Sequence, residues 1–276
     1  MLEPLFEIVP NISEGRDAAI VAACADAIAA AGARVIHTTS DPAHHRSVIT
    51  ATGTRDKVLS AGVALAGVAL DRIDLRAHRG EHPRIGALDV LPFVPLRGAT
   101  LPDAAALARE AGATIWERFR VPSYYYGAAA TAEQRRLLPD IRKGYVRGWK
   151  PDAGDTAHAS AGAIAIGARP VLVAFNVDLA TGDIALARAI ARALRERSGG
   201  LQTLRALGLK RAPGVAQVSF IITDFEATPV YRVVELVRTL AAEHGVKILR
   251  SELIGLAPRR TFRQTGAYYA HEVLPG

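Results

Sequence analysis

Apolar and polar positions alternate with two different periods along this chain, and the changes from one period to the other divide it into elements. A first series predicts strand Leu5 to Pro10, helix Asp17 to Ala31, strand Arg34 to Thr39, strand Arg46 to Gly53, helix Arg55 to Leu70 and strand Ala87 to Pro95. The same β-α-β-β-α-β order returns later. Its members are strand Val171 to Leu179, helix Asp183 to Arg197, strand Leu201 to Leu209, strand Val215 to Asp224, helix Pro229 to His244 and strand Lys247 to Leu256. Asp17 and Thr54 stand where helix N-caps belong, Thr181 or Asp183 can cap the first helix of the second series, and Pro229 after Thr228 suits a first helical turn. Between the series lie helix Asp103 to Phe119, aromatic strand Val121 to Tyr126, helix Ala132 to Arg142 and an irregular stretch from Tyr145 to Gly162. Right-handed crossovers then give an α/β (α+β) chain of two ferredoxin-like split β-α-β subdomains, residues 1–168 and 169–276, with a cleft expected between them.

Composition narrows the class. Half of the 276 residues are hydrophobic, ample for sizeable cores, yet the longest apolar runs are far short of the roughly 20 residues of a membrane span. Met1-Leu-Glu-Pro carries no basic and apolar leader pattern, so a cytoplasmic protein without membrane association is expected. The one cysteine, Cys24, excludes an intrachain disulfide framework and reads as a small buried helix residue. A net charge of +7 is spread over pairs such as Arg118/Arg120, Arg135/Arg136 and Arg142/Lys143 rather than gathered in a tail. That pattern fits a solvated surface or a cleft that attracts a small polyanion. Nucleic acid is disfavoured, because no recognition motif accompanies the charge.

The densest chemistry lies in Arg76-Ala-His-Arg-Gly-Glu-His-Pro-Arg-Ile-Gly-Ala-Leu-Asp89. Gly80 and Pro83 oppose a helix on either side of His82, so a titratable loop is predicted. For His82 the local sequence leaves three roles open: proton carrier, structural loop histidine, or zinc ligand with His78 at i, i+4. The helix that would bring both rings to one metal is the element this loop lacks, so no metal is expected. Glu81 and Arg84 flank His82 as groups that tune it or bind substrate charge. Ser40-Asp41-Pro42 and His44-His45-Arg46 form a turn between two strands, where Arg46 is a natural partner for a substrate carboxylate and Asp41 and His45 are further candidates. In Pro122-Ser-Tyr-Tyr-Tyr126 the strand period puts Tyr124 and Tyr126 on one face, as sheet packing or as a wall for a planar heterocycle. The small residues from Gly154 to Gly162 make either a linker or a loop that lets backbone approach a flat ligand. No phosphate-loop or dinucleotide pattern is present, so no nucleotide cofactor is expected.

Taken together, Glu7-Ile-Val-Pro-Asn-Ile-Ser-Glu-Gly15, the stretch His78 to Asp89, Ala174-Phe-Asn-Val-Asp-Leu179, Ala216-Gln-Val-Ser219, Asp224-Phe-Glu226 and Ser251-Glu-Leu-Ile-Gly-Leu-Ala-Pro258 resemble the glutamate formimidoyltransferase family. The resemblance implies two α/β subdomains, a homodimer, and transfer of the formimino group of N-formimino-L-glutamate to N5 of tetrahydrofolate in histidine degradation. It places the family's catalytic histidine on His82. Its folate loop falls on Gly154, Asp155, Thr156, Ala157, His158, Ala159, Ser160, Ala161 and Gly162, with Tyr124 and Tyr126 as the heterocycle wall. Substrate charges are expected on Arg46, Arg84, Glu81, Asp41 and His45, with tetrahydrofolate as co-substrate and no metal or nucleotide. Thr39, His45, Ala153 and Asp155 depart from the family's usual residues, which leaves formyl donors, a glycine acceptor and a noncatalytic folate-binding protein as alternatives. No cyclodeaminase segment follows, so product processing is expected from another protein.

Overall fold

Pro10 has no amide hydrogen to donate; the strand predicted from Leu5 to Pro10 is realised as β1 (Phe6–Ile8), and a short β2 (Asn11–Ile12) follows beyond its predicted end. The computed structural model describes residues 3–42, 44–79 and 83–273, and the chain divides into two compact units, Met1–Arg169 and Pro170–Gly276. In the first unit β1 and β2 are followed by α1 (Ala18–Ala30), β3 (Arg34–Asp41), β4 (Arg46–Gly53), α2 (Arg55–Arg72) and β5 (Leu88–Pro95). Then come α3 (Leu101–Phe119), β6 (Ser123–Gly127), α4 (Leu138–Val146) and β7 (Ile164–Ala168). Strand β4 pairs antiparallel with β3 on one side and with β1 and β2 on the other, and these in turn pair with β5. With β1 and β2 counted as one strand this is the split β-α-β order.

Strands β7 and β6 then extend the sheet beyond β5 in parallel. Periodicity had not marked β7, because Ile-Ala-Ile-Gly-Ala is short, small and buried on both faces. Helices α1, α2 and α3 close one side of the sheet over Ile8, Ile49, Leu91 and Phe93. On the other side Ile141 of α4 joins Ile85, Val90, Tyr124 and Tyr126. The helix expected from 132 to 142 is displaced: a 3-10 turn at Glu133–Arg135 precedes α4, which starts with Pro139 in its first turn.

The second unit runs β8 (Val173–Leu179), α5 (Ile184–Leu194), β9 (Leu204–Ala212), β10 (Val215–Ile222), α6 (Val230–Ala242), β11 (Ile248–Ile254) and α7 (Arg259–Val273). Its antiparallel sheet has the order β11-β8-β10-β9, and α5 and α6 bury Val177, Val218 and Phe220 against it. On the opposite face Asp178 accepts from Gln217 at 2.7 Å and from Arg250 at 2.8 Å, the side chains that the register sets on either side of it.

Caps explain several boundaries. Asp17 and Asp183 each accept two first-turn amides of α1 and α5, as predicted, whereas Thr54 occupies the N-cap of α2 with no side-chain cap bond. Pro229 is the N-cap of α6 rather than a first-turn residue, and Thr228 Oγ1 donates instead to the Gln202 carbonyl. Helix α7 fills a stretch to which the sequence assigned no element; Thr261 is buried in its first turn while Phe262 is exposed, so no apolar period marks it.

Candidate functional site

The site is built where β2, β4, β5 and α4 of the first unit meet. Asp89, fully buried on β5, accepts Nη1 of Arg46 at 2.6 Å and Nη2 of Arg142 at 2.8 Å through one oxygen. Its other oxygen accepts the Ile85 amide at 2.7 Å. Burial alone would oppose ionisation of Asp89, but Arg46, Arg142 and the Ile85 amide outweigh it and hold the carboxyl below the usual carboxylate range. Arg46 also donates through Nε and Nη2 to Asn11 Oδ1 at 3.0 and 2.8 Å. Its side chain is only 10% exposed.

A second layer forms around Glu14. This carboxylate closes the turn before α1 by accepting the amides of Gly15, Arg16 and Asp17 at 2.9, 2.7 and 3.0 Å. The Gly15 amide also reaches His45 Nδ1 at 3.2 Å, which makes that nitrogen an acceptor and His45 neutral. The His45 Nδ1 contact with Glu14, at 3.3 Å, is therefore not a salt bridge in this state. Burial, opposed by Glu14 and helped by Arg16 and Arg84, lowers the His45 pKa. His45 itself sits at φ +49°, in the left-handed region that side chains with a Cβ seldom adopt. The conformation presents its ring to His78, centroid to centroid 4.1 Å.

His78 and Arg84 straddle the predicted catalytic loop. Arg84 Nη1 donates to the His45 carbonyl at 2.9 Å and to His78 Nε2 at 2.7 Å, while Nη2 donates to the His44 carbonyl at 2.8 Å. A guanidinium has only donors, so His78 is a neutral imidazole carrying its proton on Nδ1. Burial, then the charge of Arg84, lowers the His78 pKa accordingly. His82 and Glu81 lie outside the described residues, but the chain on both sides of them is anchored. Before them, the Leu75 amide donates to the Ser160 carbonyl at 2.8 Å; after them, Arg84 and the Ile85 amide are held as above.

Asp41, at the end of β3, accepts both the amide and Nδ1 of His44, at 2.9 and 2.6 Å, and is half exposed.

The small-residue loop joins the same region through its backbone. His158 and Gly162 exchange amide bonds of 2.8 Å each, the Ala87 amide donates to the Ala161 carbonyl at 2.9 Å, and the Ala163 amide donates to the Ile85 carbonyl at 2.8 Å. His158 Nδ1 accepts the Ala161 amide at 3.2 Å, which closes the loop over Ala159 and Ser160. Gly162, at φ +70°, lies so close to the Ile85 carbonyl that any Cβ would collide with it. Gly154 backs onto the Trp116 ring, and Asp155 accepts the Thr156 amide, leaving Asp155, Thr156, Ala157 and Ala159 exposed.

Tyr124 and Tyr126 do share a face, with Tyr125 on the other. At 4% and 7% exposure they are sheet packing rather than an open heterocycle wall, and Tyr124 Oη donates to the Trp149 carbonyl at 2.7 Å. The reason is α4 and the Trp149 turn, which cover that face and which strand periodicity does not register.

An open pocket of about 310 Å³ adjoins the loop, lined by Leu75, His78, Arg79, Arg84, Ile85 and Tyr145. Sequence reasoning missed Asn11, Glu14, Asp89, Arg142 and Arg79 as members of this region. Asn11 and Glu14 stood in one distinctive motif and Arg79 and Asp89 in the other, and co-occurrence of the two motifs was the available signal. Among the described residues no three His, Cys, Asp or Glu side chains gather as a metal site, and no helix is long and apolar enough to cross a membrane.

Comparison with known proteins places these residues in context. Residues 5–169 match the formiminotransferase domain, N-terminal subdomain, and residues 174–273 match the formiminotransferase domain. A glutamate formimidoyltransferase of Thermoplasma acidophilum is 39% identical, over 96% of this chain and 92% of its own. One of Streptococcus pyogenes serotype M1 is 36% identical over 96% of this chain and 93% of its own. The formimidoyltransferase-cyclodeaminase of Rattus norvegicus is 35% identical over 97% of this chain, which spans 53% of that longer protein.

Proposed function

The chain belongs to the formiminotransferase family, and from that membership we propose that it moves the formimidoyl group of N-formimino-L-glutamate to N5 of tetrahydrofolate, releasing glutamate. The observation that carries the proposal is identity of 36% and 39% to two glutamate formimidoyltransferases over nearly the whole length of each chain. Tetrahydrofolate is a second substrate here, in keeping with the family.

The reaction needs two proton movements. N5 attacks the amidine carbon and must lose its proton, and the glutamate nitrogen must gain one as its bond to that carbon breaks. A histidine serves both steps in turn, and we assign them to His82. The anchoring of Leu75 and His78 before it, and of Arg84 and Ile85 after it, supports a loop held at both ends beside the pocket. A neutral imidazole is the form that accepts the N5 proton. Glu81 or Asp41 is the carboxylate proposed to hold the cationic amidine, and the loop from Gly154 to Gly162, exposed at Asp155, Thr156, Ala157 and Ala159, is the proposed contact for the pterin ring. Arg46 and His45 act by position, holding the floor of the site. The assembly is a homodimer in the cytoplasm, acting in histidine degradation.

Purified protein given tetrahydrofolate and formiminoglutamate is expected to form 5-formiminotetrahydrofolate, read by mass spectrometry. The His82→Ala variant is expected to lose about 10²- to 10⁴-fold in kcat; equal turnover by the two proteins removes His82 from the mechanism. Formylglutamate and formiminoglycine in parallel settle the donor, and stoichiometric folate binding without transfer from any donor identifies a noncatalytic folate binder.

A further inference from the structure

We infer that the pocket beside the His82 loop is a recognition site for the distal carboxylate of the glutamyl donor, with Arg79 as its specificity-determining residue. The inference rests on the formimidoyl-transfer reading and names which group reads the amino-acid part of that substrate.

Charge comes first. Two guanidiniums, those of Arg79 and Arg84, face the pocket, His78 is neutral, and among the described residues no carboxylate lines it. The nearby charges do not cancel them: Asp89 is shared by Arg46 and Arg142, and Glu14 is used by three backbone amides. Among the described residues the charge in the pocket wall is positive, which suits an anionic group.

The two arginines differ in what they have left to offer. Arg84 is committed to two carbonyls and to His78, which makes it a fixed wall. Arg79 donates within the described residues only through Nη1, to the His78 carbonyl at 2.8 Å and the Arg76 carbonyl at 3.4 Å. Those bonds orient the guanidinium plane and leave its Nε and Nη2 edge for a two-point contact with a carboxylate. Shape supplies the rest. Leu75 and Ile85 add apolar wall, which suits the two methylenes between the amino-acid centre and the distal carboxylate of glutamate, and about 310 Å³ accommodates that arm with room for water. The Tyr145 ring forms a further wall. An α-carboxylate has no such arm and would leave the apolar surface wet.

The folate tail also ends in a glutamyl carboxylate, so the test separates the two sources. Calorimetry with the whole protein compares L-glutamate, the released product, with L-glutamine, its isostere lacking the distal charge. Wild type is expected to bind glutamate at least tenfold more tightly, Arg79→Ala to erase that preference, and Arg79→Lys to restore part of it. In turnover, Arg79→Ala is expected to raise the KM for formiminoglutamate about 10- to 100-fold, the loss of one charge-assisted contact, with kcat and the tetrahydrofolate KM within threefold of wild type. A glutamate preference that survives in Arg79→Ala overturns the assignment, and a penalty confined to the tetrahydrofolate KM gives the pocket to the folate tail instead. Wild type that binds glutamate with the expected preference yet transfers nothing refutes the transfer reading while the carboxylate site stands. Arg79 is exposed, so the variants are expected to keep the wild-type unfolding midpoint; the circular dichroism melt checks this.

Discussion

One carboxylate with no access to water, Asp89, holds two guanidiniums and the first backbone amide after Arg84. Removing it takes from Arg46, itself 10% exposed, the buried carboxylate it is bonded to. Asp89→Ala is accordingly expected to cost about 3–5 kcal/mol, measured by urea denaturation. Arg142→Met is expected to cost much less, because its side chain is partly exposed and Asp89 keeps Arg46. Equal losses in the two variants would contradict the account. The sequence displayed His82, Arg84 and Arg46 as chemistry because their residue types and loop settings are local properties. It did not display that Arg46 belongs to Asp89, since a pairing across 43 positions is made by the sheet register and not by spacing. Tyr124 and Tyr126 teach the same lesson: period two gave their shared face, but only α4 packing says that the face is closed.

Elements were legible wherever a cap or a strong period marks them. Thr100 illustrates the energetics: its hydroxyl accepts the Asp103 amide at 3.3 Å while Asp103 accepts the Thr100 amide at 2.9 Å, a reciprocal box at the start of α3. Thr100→Ala is expected to cost about 1 kcal/mol by removing one half of that box, and Thr100→Ser to cost nearly nothing. The comparison is made by thermal unfolding of the three proteins, and a Ser variant as unstable as Ala would assign the effect to the lost methyl instead. What the pattern missed follows from weak local signals. Strand β7 has too few residues to show a period and draws its place from parallel pairing with β5 and β6. Strand β2, beyond the predicted end of the first strand at Pro10, has only two residues and likewise draws its place from pairing, with β4 and β5.

At the scale of the whole molecule the two units carry separate cores, and the probes are unevenly shared between them. Both tryptophans, Trp116 and Trp149, and the one cysteine fall in the first unit, so their signals report on that unit alone. Burial and the charge of Glu14 push the Cys24 thiol up to about 11 against the opposing effect of Arg72, and the residue is fully buried. A thiol reagent at neutral pH is therefore expected to leave native protein unlabelled and to react in step with the loss of tryptophan signal in urea; labelling that precedes that loss would mean local opening around α1. The first unit also holds two histidines and a buried aspartate whose ionisation folding alters, besides Glu7, Asp74 and Asp103. His45 and His78 have pKa values depressed below the ordinary value near 6.5, so the unfolded chain takes up their protons more readily. Their contribution to stability is complete above about pH 6.5 and is lost as pH falls toward their folded values. Asp89 is depressed from a carboxylate's ordinary value near 3.9, so its contribution is complete above that pH and lost only below it. Stability of the first unit is thus expected to decline in two stages on acidification, the histidines first and the aspartate second. His78→Gln, which keeps an acceptor for Arg84 and cannot take up a proton, is expected to shrink the first stage to the share of His45 and leave the second. The measurement is the urea midpoint of tryptophan fluorescence at intervals from pH 8 to pH 3; a wild-type midpoint that stays level from pH 7.5 to pH 5 would show that the two imidazoles are not held neutral by their surroundings.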